Sequence, residues 1–333
     1  MTLYLHIGRG KSGSSTIQSL AKNHAEFMQK AGFSCPLTVN GLSNHGRLAS
    51  ALSAVDSDRP TIKKFRKDLA RPSSPNIFLS AEAFHNMTDE GLARLKWLTR
   101  RQQVRILFYV RDYPSWIRSM YAQSTKKNSN LEDFDSFFKA GWKNLSVVTR
   151  LEKWAGVFGW ESIRIRPLDA TVLVGGDLIS DLLHELGVND PAPEVLPENQ
   201  SPHWMTLEIM RALGIAATRS EIGSINSRSI RLIRRLIEDC MDPGRPRRTQ
   251  YLNRAQWREA ADLYQGDMEI LGRHVGMTFP VSWREPQERE FLPDLNAVPR
   301  DVRDTIRNRM DDARFSARID PSVSAVLGEL LSR

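Results

Sequence analysis

The sequence predicts an α/β protein with a central, mainly parallel sheet flanked by helices, followed by a mostly helical C-terminal portion. Three short apolar runs, at residues 3–7, 76–80 and 104–110, have the length of buried strands. Segments with helical periodicity lie between them. Strands that alternate with helices along a chain form parallel sheets, because each crossover helix returns the chain to the same edge of the sheet.

The first predicted strand stops at a glycine-rich stretch, residues 8–16. A helical pattern follows, and Gly32 stands where a helix stop is expected. The apolar face of this helix is formed by Ile17, Leu20, Ala21, Met28 and Ala31. A strand, a glycine loop and a helix in this order open many nucleotide-binding α/β folds.

The later elements repeat this alternation. Leucines at positions 92, 95 and 98 mark a crossover helix, and Pro114 fits the first turn of a helix that reaches about Lys126. The pattern then predicts a helix at 147–158, a strand at 162–166 and a helix at 178–186. Further helices are predicted around 205–213, 227–240, 255–271, 298–312 and 321–331.

The length of 333 residues suits one large domain or two smaller ones. Pro191 and Pro193 lie where the texture of the sequence changes, and they mark a connection. We therefore predict an α/β core at residues 1–190 and a helical region at residues 191–333.

The composition narrows the class of protein. Lys and Arg exceed Asp and Glu by 47 to 39, a net charge of +8 that is typical of proteins that handle anions. The two cysteines, Cys35 and Cys240, provide neither a disulfide framework nor the ligand spacing of a zinc site. No secretory signal and no run of about 20 apolar residues is present. These features predict a soluble, cytoplasmic protein.

The stretch from Gly8 to Thr16 has the properties of a phosphate-binding loop. Its glycines let backbone N–H groups face an anion, the following helix adds partial positive charge, and Lys11 adds a full charge. The loop contains the triplet Gly10-Lys11-Ser12, which resembles the end of the Walker A motif. The first glycine of that motif, however, would fall at Leu5, inside the strand. The loop is therefore shorter than a Walker A loop.

The sequence K-S-G-S-S-T after H-I-G instead resembles the 5′-phosphosulfate loop of sulfotransferases that use 3′-phosphoadenosine 5′-phosphosulfate (PAPS). A second motif strengthens this resemblance. Arg111 follows the third strand, and Ser119 stands eight residues later on the next helix. In this family an Arg and a Ser at that spacing hold the 3′-phosphate of PAPS. The sequence departs from the family pattern at Tyr113, which separates Asp112 from Pro114.

The resemblance covers about residues 1–190 and is closer to the bacterial and glycan-acting branch of the family. It implies the P-loop-like sulfotransferase fold, with residues 191–333 completing the acceptor cleft. It also implies PAPS as donor, no metal, and a hydroxylated acceptor such as a carbohydrate, with an anionic glycan among the candidates and no nucleic-acid partner. The residues expected to bind the donor are Arg9, Gly10, Lys11, Ser12, Gly13, Ser14, Ser15, Thr16, Arg111 and Ser119.

Three residues are candidates for the chemistry. Lys11 can stabilise the leaving oxygen, and either His45 or Glu82 can take the acceptor proton. An unperturbed histidine pKa of roughly 6.5 suits a base near neutrality, which slightly favours His45. His85 is the next candidate, whereas His6 lies within a strand and is expected to be a core residue.

Two other functions remain open from the sequence. A P-loop kinase would depend on ATP and Mg²⁺, and an inactive sulfotransferase-like protein would bind the nucleotide without turnover. A basic stretch in the C-terminal region is ambiguous as well, since it is a solvated helix face, a contact surface for an anionic acceptor or a nucleic-acid surface, although no recognised nucleic-acid-binding module accompanies it. It comprises Arg228, Arg231, Arg234, Arg235, Arg245, Arg247 and Arg248.

Overall fold

The computed structural model describes residues 1–36, 45–54, 59–127, 130–141, 146–195, 201–279, 288, 292–310, 312 and 318–332. The chain divides into two compact units. The first unit comprises residues 1–113, 145–199 and 261–283, and the second comprises residues 114–144, 200–260 and 284–333.

A five-stranded parallel sheet forms the centre of the first unit. Its strands are β1 (Thr2–His6), β2 (Phe33–Ser34), β3 (Asn76–Ser80), β4 (Gln103–Val110) and β5 (Ile163–Pro167). Their order is β2-β3-β1-β4-β5, and every neighbouring pair is parallel. The predicted α/β class with a parallel sheet and flanking helices is therefore confirmed.

The register of the sheet brings several strand ends together. His6 at the end of β1 pairs with Ser80 at the end of β3, and with Leu107 of β4. The carboxyl ends of β1 and β3 are thus level, and β4 runs three residues further to Val110. Because all the strands are parallel, the segments that follow β1, β3 and β4 leave the sheet at one edge, where α/β proteins bind ligands.

The helices of the first unit are α1 (Ser14–Asn23), α2 (Ala25–Lys30), α3 (Gly46–Ser53), α4 (Arg59–Ala70), α5 (Asp89–Leu98), α8 (Val147–Phe158) and α9 (Leu178–Glu185). Helices α5, α8 and α9 lie where the sequence pattern predicts them, whereas the first predicted helix is broken at His24 into α1 and α2, and α4 was not predicted. The side of β1 and β4 that carries Tyr4 and Tyr109 packs against α1 and α9.

A buried carboxylate fixes α9 to the sheet. Asp181 of α9 is fully buried and accepts hydrogen bonds from the hydroxyl of Tyr109 at 2.9 Å and from Nε of Arg166 at 3.0 Å. The backbone N–H of Val174 donates to it at 3.0 Å. Burial and the neighbouring Asp181 charge raise the pKa of the Tyr109 hydroxyl, so this tyrosine stays a donor.

The second unit is helical. It contains α7 (Phe134–Lys139), α10 (Trp204–Arg219), α11 (Ser227–Asp239), α13 (Arg300–Met310) and α14 (Pro321–Ser332). Helices α6 (Tyr113–Lys126) and α12 (Arg254–Val275) have residues in both units. An apolar core made by α10, α11, α13 and α14 includes Ile209, Leu213, Ile233, Ile306 and Leu327.

The basic stretch of the second unit is first of all an amphipathic helix face. Ile233 and Leu236 of α11 are buried, while Arg228, Arg231 and Arg235 are exposed. Arg247 forms an ion pair with Glu238 at 2.8 Å. A solvated, partly paired face explains these arginines without a ligand. Among the helices that the structure describes, none is long and apolar enough to span a membrane.

Candidate active site

The loop between β1 and α1 has the backbone geometry of an anion cradle. Lys11 adopts the left-handed conformation, with φ of 69°, and Gly13 does so with φ of 80°. A non-glycine residue in this region stores backbone strain, which is common at binding sites. Gly13 is also the N-cap of α1, so the first N–H groups of that helix have no side-chain cap from this position.

Close packing explains two glycines of this loop. A Cβ at Gly8 would lie 2.2 Å from Oγ of Ser14 and 2.7 Å from Cε1 of His6. A Cβ at Gly13 would lie 2.3 Å from a methyl group of Leu178. All three distances are shorter than van der Waals contact, so a larger residue at either position would displace a neighbouring side chain, and the positive φ of Gly13 favours glycine as well.

The two sequence motifs meet at this loop. Arg111 leaves the end of β4, and its Nη1 donates a hydrogen bond to the backbone carbonyl of Lys11 at 3.0 Å. Arg111 and Lys11 are both half-buried. The guanidinium of Arg111 is thus held against the backbone of Lys11, 100 residues away in the sequence, and two cationic residues that can attract a polyanionic ligand meet at one edge of the sheet.

Glu82 lies directly beside the loop. It follows β3 in a short 3₁₀ helix, Glu82–Asn86, and its side chain is exposed. A Cβ built at Gly10 would lie 3.6 Å from Oε2 of Glu82. The carboxylate therefore borders the loop one residue from Lys11 while it remains open to solvent.

His45 occupies a different environment. It is almost fully buried at the start of α3, where the backbone N–H of Ser80 donates to its Nδ1 at 3.0 Å. Its Nε2 lies 2.7 Å from the carbonyl oxygen of Pro36, so this nitrogen carries the proton. Both ring nitrogens are engaged, and burial lowers the pKa of the ring. This geometry favours Glu82 over His45 as the proton acceptor.

The other two histidines of the region are also held neutral. His6 is fully buried, and its Nδ1 lies 2.7 Å from Oγ of Ser80, so the predicted core role fits its environment. Burial lowers the pKa of His6 to about 3. His85 stacks on Phe108 with ring centres 5.6 Å apart, and burial, with repulsion from Arg9 and Arg150, lowers its pKa to about 3.

The sequence did not predict a polar network that joins Arg9 of the loop to Tyr113 and Asp267. The guanidinium carbon of Arg9 lies 5.3 Å from the ring centre of Tyr113, and the hydroxyl of Tyr113 donates to the carboxylate of Asp267. Ser146 also donates to Asp267, at 2.9 Å. Burial lowers the pKa of Arg9 to about 10, although Tyr113 and Asp267 both favour its charged form. The signal for this network was Tyr113, the residue that departs from the family pattern.

The remaining residues expected to bind the donor are distributed over both units. Ser12 and Ser14 are buried in the loop and at the start of α1, whereas Ser15 and Thr16 are half-buried on the first turn of α1. Ser119 is half-buried on α6 and belongs to the second unit. Its role toward the 3′-phosphate stays a prediction from spacing alone.

The residues of the loop fit an anionic nucleotide. The left-handed backbone at Lys11 and Gly13 and the start of α1, which has no side-chain cap, are features that suit the binding of an anion by backbone N–H groups. Among the described residues, no group of three or more His, Cys, Asp or Glu side chains could hold a metal ion. Metal-free catalysis stays a prediction.

Comparisons with known proteins find only distant similarity. No protein-family model matches the sequence. A protein of Archaeoglobus fulgidus, described only as uncharacterized, is 25% identical over 140 residues, which cover 40% of this chain and 37% of that protein. The crystal structure of a sulfotransferase from Alicyclobacillus acidocaldarius is similar with a TM-score of 0.40 and 13% identity, over 67% of this chain and 96% of the other. Similarity this low does not assign a function. A function for this chain is therefore inferred from the geometry of the site.

Proposed function

We propose that this protein is a sulfotransferase that transfers the sulfonyl group of PAPS to a hydroxyl group. The contact between Arg111 and the carbonyl oxygen of Lys11 carries this proposal. It joins the two motifs that resemble the 5′- and 3′-phosphate sites of the family.

The loop would hold the 5′ end of the donor. Lys11 supplies a full positive charge, and the N–H groups at the start of α1 supply partial charges, as do the hydroxyls of Ser15 and Thr16. Arg111 would hold the 3′-phosphate, because a guanidinium binds phosphate through two parallel hydrogen bonds. Binding of the two phosphate groups by different residues would account for the proximity of Lys11 and Arg111.

The chemistry requires charge stabilisation and one proton transfer. The acceptor oxygen forms a bond to sulfur while the bond between sulfur and the 5′-phosphate oxygen breaks, and the acceptor proton passes to a base. The Lys11 ammonium would stabilise the negative charge that develops on the leaving oxygen. This lysine and the loop amides provide an electrostatic field that kinases obtain partly from Mg²⁺.

Glu82 is the residue that we assign as the base. Its carboxylate borders Gly10, is exposed, and can therefore reach a hydroxyl group that enters beside the loop. His45 would instead position β3 and α3, since it joins the backbone of Ser80 to that of Pro36. The acceptor is a hydroxylated molecule, with carbohydrates as the first class to test.

The proposal is tested by following label from two donors. [³⁵S]PAPS without Mg²⁺ and [γ-³²P]ATP with Mg²⁺ are each incubated with a panel of monosaccharides, oligosaccharides and phenols. We expect ³⁵S in at least one acceptor, and loss of transfer in Lys11→Ala. Transfer of ³²P and not ³⁵S would show a kinase. Binding of the product 3′-phosphoadenosine 5′-phosphate (PAP) without transfer to any acceptor would indicate an inactive relative.

A further inference from the structure

A cavity of about 400 Å³ opens at the amino ends of β4 and β5, on the edge of the sheet opposite the phosphate loop. Its size is within the range of about 300–1,000 Å³ that is typical of small-ligand sites. It lies entirely within the first unit. Its polar lining includes Lys96, Arg100, Gln102, Arg105, Glu161 and Arg164.

The side chains that line this cavity carry an excess of positive charge. Lys96, Arg100, Arg105 and Arg164 line it, against the single carboxylate of Glu161. Among the residues that the structure describes, none of the four cations forms an ion pair. The carboxylate oxygens of Glu161 are turned toward Gly159, where a Cβ would lie 2.0 Å from one of them. A concave surface with uncompensated like charges concentrates anions.

One of these cations is held in place before any ligand arrives. The guanidinium of Arg100 lies 4.4 Å from the ring centre of Trp97, and its Nη1 donates to the carbonyl oxygen of Trp97 at 2.7 Å. Trp97 is 54% exposed, which is high for so large an apolar side chain. A second guanidinium, that of Arg66, lies 5.8 Å from the centre of the same Trp97 ring. Such preorganisation reduces the entropy lost on binding.

The cavity also has a hydrogen-bond acceptor to satisfy. Oε1 of Gln102 is buried and has no hydrogen-bond partner among the described residues. A buried acceptor without a partner is unfavourable, and because Gln102 lines the cavity, a rotation of its side chain would present this oxygen to a hydroxyl group of a ligand. A ligand for this cavity therefore needs several anionic groups and at least one hydroxyl donor.

We propose that this cavity is a second binding site, separate from the phosphate loop, and that it binds an acidic oligosaccharide. The four cations come from α5, from the turn that follows it, from β4 and from β5, so they are spread along the lining of the cavity, as suits a chain with anionic groups on successive rings. A single phosphate would instead need cations and backbone N–H groups that converge on one point, as at the Lys11 loop. The site would recruit or retain an anionic glycan away from the chemistry.

The test is isothermal titration of a heparin-derived tetrasaccharide at 150 mM salt, with neutral maltotetraose and ATP as comparison ligands. The variant is Lys96→Gln/Arg164→Gln, in which both altered side chains are exposed. The matched control is Lys63→Gln/Arg101→Gln, which removes the same charge from exposed positions outside the cavity. A further variant, Gln102→Leu, removes the acceptor and keeps all charges.

We expect the tetrasaccharide to bind one per chain, at least tenfold more weakly in Lys96→Gln/Arg164→Gln and within threefold of wild type in the control. Gln102→Leu should weaken binding three- to tenfold without changing its salt dependence. Lys11→Ala should leave binding within threefold, which keeps this outcome separate from the proposed function. Maltotetraose should not bind.

Four results would overturn the proposal. Equal loss in the variant and the control would mean diffuse attraction to a basic surface. Loss in Lys11→Ala would place the oligosaccharide at the phosphate loop. ATP that binds Lys11→Ala as tightly as the tetrasaccharide does would make the cavity a nucleotide site. No measurable binding to the wild-type protein would remove the site altogether.

Discussion

Replacement of Arg111 by alanine should weaken the binding of PAP far more than the binding of 5′-AMP, which has no 3′-phosphate. Arg111 is half-buried at the end of β4, so the contact that it makes with phosphate is partly shielded from water. Loss of a charge-assisted hydrogen bond costs about 1.5–3 kcal/mol. This corresponds to a loss of PAP affinity of roughly 10- to 150-fold.

The same substitution also removes a bond within the protein. Nη1 of Arg111 donates to the carbonyl oxygen of Lys11, and such a bond contributes about 0.5–1.5 kcal/mol to stability. The loop at Lys11 would become less fixed, and this would affect both nucleotides to the same extent. The ratio of the two affinities, rather than either alone, therefore reports on the 3′-phosphate.

Titration calorimetry with both nucleotides measures that ratio. Arg94→Ala is a suitable control, because Arg94 is also half-buried and its Nη1 likewise donates to backbone carbonyl oxygens, those of Leu52 and Ala54. We expect the control to bind both nucleotides within threefold of wild type. Equal weakening of PAP and 5′-AMP in Arg111→Ala would refute the assignment of the 3′-phosphate to this arginine.

Four further predictions follow from the site. Glu82→Gln should keep PAP affinity while kcat falls by roughly 10²–10⁴, and normal turnover would place the base elsewhere. His45→Ala should lower the free energy of unfolding by about 1–3 kcal/mol in urea titrations, since the N–H of Ser80 loses its acceptor, while PAP affinity in the folded protein changes little. Gly8→Ala should lower both Tm and PAP affinity, because its Cβ meets the side chain of Ser14. The control Gly156→Ala lies in open space on α8 and should raise Tm, since alanine has the higher helix propensity. Similar Tm values for the two variants would contradict the packing argument. The pKa of His85 is about 3 in the folded protein against an ordinary 6.5, so its contribution to stability is complete above pH 6.5 and falls as the pH drops toward 3, by up to about 1.4 kcal/mol per pH unit. Urea titrations between pH 7.5 and 4.5 measure this slope, which His85→Phe should reduce.

The sequence was sufficient for the local parts of the fold. The strands at 76–80 and 104–110 and the helix at 147–158 have a strong apolar pattern, and the structure has β3, β4 and α8 at nearly the same bounds. The two-residue strand β2 was missed, because two residues show no periodicity. The break at His24 was missed because the apolar face continues from α1 into α2.

The candidate site was predictable where its residues belong to motifs, and not where they meet across the chain. Tyr113 and Asp267 are 154 positions apart, and no local pattern relates them. The choice between Glu82 and His45 likewise depended on burial and on hydrogen bonds to Ser80 and Pro36, which only the folded chain defines. The role of Ser119 toward the 3′-phosphate and the role of residues 191–333 toward the acceptor stay predictions.

The central claim is most directly tested by comparing the binding of PAP with that of ADP and ATP, each in EDTA and in Mg²⁺, by thermal shift and calorimetry. A sulfotransferase should bind PAP most tightly and equally well in EDTA, and Lys11→Ala should abolish the shift. Tighter binding of ATP than of PAP, and only with Mg²⁺, would contradict the proposed function.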